Sequence, residues 1–170
     1  MANAGADRST NDDAKERIEM SRVNAGRWVA AGAVGTGAFT MLMLGAPLMG
    51  MPRMPIGAML GNFLHIGPAA GWAMHVVIGL GLALIYAAWL AARLPGPPAV
   101  RGAVFGVGVF VVAQGVVMPM MGAGFFSGGN VAMIMSSLFG HLVYGVLVGA
   151  VYGGLEAQRD LSRAAASRAS

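Results

Sequence analysis

Residues 1–24 are polar. From Ala25 onward the apolar positions gather into four blocks, at about 25–49, 69–93, 100–121 and 131–155, separated by breaks rich in glycine, proline or arginine. Each block is close to the ~20 residues that a helix needs to cross hydrocarbon. Within the blocks it is small residues that recur at helical spacing. Gly71, His75, Gly79, Ala83, Ala87 and Ala91 fall at every fourth position, and so do Ser137, His141, Gly145, Gly149 and Gly153. Residues four apart stack on one helix face, so each set is a smooth packing stripe with an imidazole near one end. A tyrosine follows each histidine by eleven residues, Tyr86 and Tyr152, three turns further along the same face.

The pattern predicts an all-α, four-helix transmembrane bundle. Helix 1 carries Gly32, Thr36 and Thr40 on one face, as membrane helix contacts prefer, and Pro47 ends it. The glycine- and proline-broken stretch that follows leaves room for a short surface helix over 56–64. The run Leu94-Pro95-Gly96-Pro97-Pro98 makes a tight turn before helix 3, which carries Gly102, Gly106 and the polar Gln114. Outside the membrane domain, residues 1–24 form a polar tail in which Asp13/Arg17 and Lys15/Glu19 support a short helix, and residues 156–170 form a fraying C-terminal tail.

Charge sharpens this picture. The chain is 56% hydrophobic and only 11% charged, and no Asp or Glu occurs between Glu19 and Glu156; a soluble domain carries about 25% charged residues. The net charge of +4 does not mark a nucleic-acid binder, because the basic residues flank the apolar blocks without interleaved aromatics. Ten of the 11 Lys and Arg lie in the two tails, at the entry to helix 1 or in the 2–3 turn, and Arg53 stands alone on the other side. By the positive-inside rule both termini are cytoplasmic. The first block lies behind a charged segment and is too long for a signal h-region, so it reads as a retained anchor. The absence of cysteine excludes disulfides, thiolate metal sites and cysteine nucleophiles.

The motif H-x3-G-x6-Y occurs twice, and Pro47-Leu48-Met49-Gly50 is echoed by Pro119-Met120-Met121-Gly122. Two tandem hairpins of the same topology follow, related by an axis along the membrane normal. That axis puts His75 and His141 at one depth in the outer leaflet, with helices 2 and 4 touching at the axis or enclosing a hollow there.

The motifs T-x3-T-M at 36–41, G-W-x-x-H-x3-G at 71–79 and H-L-V-Y-G at 141–145 resemble a group of small bacterial four-helix membrane proteins gathered as a domain of unknown function. The resemblance covers about 25–155. It implies the topology and the duplication, and it supplies no catalytic residue.

Intramembrane histidines are rare and often functional. His75 and His141 can ligate haem b or a metal such as copper, relay protons, or act as polar glue that hydrogen-bonds neighbouring helices. His65 lies in a loop and is solvated. Twelve of the 14 methionines fall in the outer half of the predicted topology. Met49, Met51, Met54, Met118, Met120 and Met121 make a soft-metal mouth, or else fill gaps where broken helices pack irregularly. Thr36, Thr40, Gln114, Tyr86 and Tyr152 are the polar lining that a small channel or transporter would use. The glycines at 32–37 sit inside an apolar block and read as packing surface, not a nucleotide loop. With no paired carboxylates and no zinc or triad motif in the apolar region, the chain reads as a non-enzymatic binding or accessory subunit. Its partners are the bilayer and a second copy or a larger membrane complex.

Overall fold

The computed structural model describes the backbone of residues 4–169 and the side chains of residues 25–162 and 164–168. The chain is helical, with no strand among the described residues. Four segments are long and apolar enough to cross a membrane: Ala25–Met49, Gly67–Leu90, Pro98–Met120 and Val131–Arg168, here spans 1 to 4. A connecting helix, Ile56–Phe63, lies between spans 1 and 2, where the sequence leaves room for one.

Local chemistry sets the boundaries. Pro68 and Pro98 stand in the first turns of spans 2 and 3, where the missing N–H has no helical partner to lose. The Asn130 side-chain oxygen accepts the Met133 N–H at 3.1 Å and caps span 4. Span 1 ends in a 3-10 turn, Ala46–Met49, closed by Gly50 at φ +76°. The tails differ from expectation: helix Ala4–Gly45 runs into span 1 without a break, and helix Val131–Ala169 carries span 4 through the C-terminal tail. Neither 6–25 nor 156–169 contains a glycine or proline to interrupt it. The Asp13/Arg17 and Lys15/Glu19 side chains lie outside the described residues.

Small residues decide which helices meet. Spans 1 and 2 run antiparallel, with Gly32 on Ala83, Thr36 on Gly79 and Thr40 on His75. Spans 3 and 4 press backbone to backbone, Gly102 and Gly106 against Gly145 and Gly149, with Pro98 on Gly149 and Gly153. Gly71 packs on Gly57 and Gly61 of the connecting helix. The two stripes therefore do not meet at a central axis. Span 1 stands between spans 2 and 4, setting Gly35 against Tyr144 and Val148, and Phe39 on Gly140. The hairpins also differ in register: Thr40 faces His75, but His141 lies against Gly106 and not against Val112, which the Pro47–Pro119 match would place there.

The neighbours thus run span 2, span 1, span 4, span 3. Spans 2 and 3 meet near the end that carries the tails, where Tyr86 packs on Phe105 at 5.3 Å between ring centroids, and a cavity lies between them toward the loop end. Each of these two spans contains one wide turn, Tyr86–Leu90 and Ala113–Val117. The second has a cause: Pro119 cannot bond the carbonyl four residues earlier and its ring crowds it, and a wider turn relieves both.

Candidate functional site

Where spans 2 and 3 separate, a cavity of about 220 Å³ opens. Span 1 lines it with Thr36, Phe39 and Met43, span 2 with His75 and Gly79, span 3 with Val112 and Met118, and span 4 with Ser137, His141 and Tyr144. Both sequence-predicted histidines face this one space.

Each imidazole is held by its own neighbours. His75 Nε2 is 3.2 Å from the Thr40 hydroxyl, and the Trp72 ring stands edge-on at 5.8 Å. His141 Nδ1 is 2.7 Å from the carbonyl oxygen of Ser137, one turn back on its own helix. A carbonyl only accepts, so the neutral His141 ring carries its proton on Nδ1, and Nε2 is the lone-pair nitrogen. Contact between the two imidazoles runs through Phe39, whose ring centroid is 5.8 Å from that of His75 and 5.0 Å from that of His141. Phe39 fits because residue 140 is glycine; a Cβ there would meet its ring at 2.5 Å. Tyr144 closes the floor, its hydroxyl donating to the Gly79 carbonyl at 2.6 Å and joining span 4 to span 2.

Sequence reasoning missed Phe39, Trp72 and Tyr144. Tyr144 had a signal, standing three residues after His141 on the same face; Phe39 had none, because one more apolar residue in an apolar helix is unremarked.

The methionines divide. Met54, Met118 and Met121 join the histidines in this cavity, as does Met43. Met49 and Met51 lie around a second cavity of about 330 Å³, shared with Met43, Met54, Met133 and Met135. Met120 is exposed and lines neither. The predicted polar lining follows no single path. Thr36 lies in the histidine cavity and Thr40 holds His75. Gln114 is fully buried, its side-chain oxygen taking the Ser127 hydroxyl at 2.8 Å and its backbone carbonyl the Phe126 N–H at 3.0 Å. Tyr86 and Tyr152 meet edge to face at 6.1 Å at the tail end, beside a third cavity that also touches Arg101 and Glu156. His65 is exposed, in the left-handed region at φ +58° after the connecting helix.

Arg27, counted as a membrane flank, is half of a structural pair with Glu156. Arg27 is buried, 3.3 Å from Glu156 and with its guanidinium 4.4 Å over the Tyr152 ring, and so ties span 1 to span 4. Among the described residues no three His, Cys, Asp or Glu side chains come together as a metal cluster.

No curated protein and no solved structure matches the chain. A family described as "Family of unknown function (DUF6789)" matches residues 22–163, a stretch that contains the paired histidines and every motif behind the expected resemblance, and the chain belongs to that family.

Proposed function

We propose that this is a multi-pass protein of a bacterial cytoplasmic membrane that acts as a binding or accessory subunit, and that its paired-histidine cavity holds a lipid-soluble single-ring molecule with hydroxyl or carbonyl substituents, of the phenol or quinol class. The observation that carries this reading is that both imidazoles line one otherwise apolar space. Size sets the ligand class. An apolar cavity of about 150 Å³ takes benzene, and drug-sized ligands need about 300 Å³ or more. At about 220 Å³ the cavity suits one substituted ring. Phe39 offers a face for stacking, and the His141 Nε2 lone pair accepts a hydroxyl proton. Ile78, Val112 and Val117 line the cavity and are exposed, which supports entry sideways from lipid.

Haem b or copper at the pair fits less well. One ion needs both imidazole nitrogens within about 2.1 Å, and here the rings meet through Phe39. The channel reading is weakened by polar residues that sit in separate places. Turnover is not proposed, because the sequence offers no acid between Glu19 and Glu156.

Trp72, beside His75, is a built-in reporter. Protein in nanodiscs is titrated with a short-chain benzoquinol while tryptophan fluorescence is followed, with Trp72→Phe to assign the signal. We expect saturable quenching, and His75→Ala or His141→Ala to lose nearly as much binding as the double variant, since the two act on one ligand. Quenching that never saturates, additive losses, or haem or copper in the purified protein that is lost on His75→Ala or His141→Ala, by absorption and elemental analysis, would overturn the reading.

A further inference from the structure

The second cavity lies at the loop end, among the last turns of span 1, the segment before the connecting helix and the first turns of span 4. Six methionines from these three segments line it: Met43, Met49, Met51, Met54, Met133 and Met135. Methionine is unbranched and flexible, and it ordinarily fills irregular gaps. Here six of them, from three separate segments, line one space of about 330 Å³.

The donor chemistry is narrow. The chain has no cysteine, no Asp or Glu lies between residues 19 and 156, and no imidazole lines this cavity. The donors left are thioethers and the hydroxyls of Ser136 and Ser137, and the Ser136 oxygen is buried without a partner. Thioethers are soft, neutral ligands that select Cu(I) over the hard and borderline divalent ions. A neutral donor set also favours a single charge, because desolvating a divalent ion with no anion beside it costs far more. Met49, Met51 and Met135 are exposed in part, which gives an incoming ion thioethers to meet at the rim.

We propose that this six-methionine vestibule is a binding site for a soft monovalent cation, Cu(I). The proposal does not depend on the ligand of the histidine cavity, although Phe39, Met43, Met54 and Ser137 line both spaces.

The test uses the full chain in detergent with its methionine methyls labelled with carbon-13. It is titrated with Ag(I), the redox-stable stand-in, and then with Cu(I) under reducing conditions against a competing chelator. The variant replaces Met49, Met51, Met133 and Met135 by Leu, close in volume and unable to coordinate; none of the four lines the histidine cavity. We expect saturable binding with shifts confined to the vestibule methyls, no response to Zn(II), and affinity at least about tenfold weaker in the variant. The histidine substitutions should leave Ag(I) binding unchanged. Should the variant fail to fold, the methyl shifts of the parent decide. Absence of saturable binding, equal affinity in a folded variant, the same shifts with Zn(II), or shifts spread over exposed methionines such as Met41 and Met120 would overturn the proposal.

Discussion

Phe39 is where the site is most sensitive to a single atom. Its ring touches both imidazoles and rests on Gly140. Gly140→Ala should push it aside at a cost of about 1–3 kcal/mol, the usual range for overpacking, and weaken ligand binding even though residue 140 does not line the histidine cavity. Unfolding in detergent and the Trp72 titration measure the two effects; parent-like values for both would mean that Phe39 does not position the rings. At the other end, Arg27 is 8% exposed while its partner Glu156 is 54% exposed. Solvent screens such a pair, so Glu156→Gln should cost no more than about 1 kcal/mol. Arg27 keeps its place over Tyr152, a contact of similar size. The Glu156→Gln effect should shrink as salt is raised in thermal unfolding.

At the scale of elements, glycines separate into those at a helix contact and those facing open space. A Cβ on Gly145 would meet the Gly102 carbonyl, which is backbone and cannot turn away, whereas Gly108, also in a span, has nothing within 4 Å. Gly145→Ala should therefore part spans 3 and 4 and lower the unfolding temperature. Gly108→Ala should be neutral or raise stability by up to about 1 kcal/mol through helix propensity. Equal stability of the two variants would show that the 3–4 contact is looser than its geometry. The wide turn at Ala113–Val117 sets a second case. It places Gln114 under the 3–4 loop, and two hydrogen bonds tie Phe126 and Ser127 down to it. Gln114→Leu removes the side-chain bond and should speed hydrogen exchange over 122–130 while leaving the spans protected.

The whole molecule has two unlike ends. The tails, the entry to span 1 and the 2–3 turn carry ten of the 11 basic residues, and the loop end carries twelve of the 14 methionines and the histidine and methionine cavities. We propose that the tail end is cytoplasmic. Gly5→Cys should then resist a membrane-impermeant thiol reagent in intact cells and Val131→Cys should react; the reverse labelling would invert the protein. The orientation bears on both proposals, because it presents the methionine vestibule to the outside and the histidine cavity to the outer leaflet.

The sequence by itself determined the spans, the connecting helix and the small faces on which helices approach, because length, hydropathy and residue size are properties of local stretches. It also marked His75 and His141, since an imidazole in an apolar helix stands out against its neighbours. It did not show that span 1 would stand between spans 2 and 4, that Arg27 would find Glu156, or that the two wide turns would form. The tertiary structure alone decided the cavities. A stripe of small residues says that something packs there and is silent about which helix does. Here each stripe is taken by a helix beside it in the chain, spans 2 and 3 are left apart at the loop end, and the space between them gathers both histidines around Phe39. Apolar side chains in a membrane helix are alike until packing selects among them, so Phe39, Met43 and Tyr144 became part of a site only when the bundle closed.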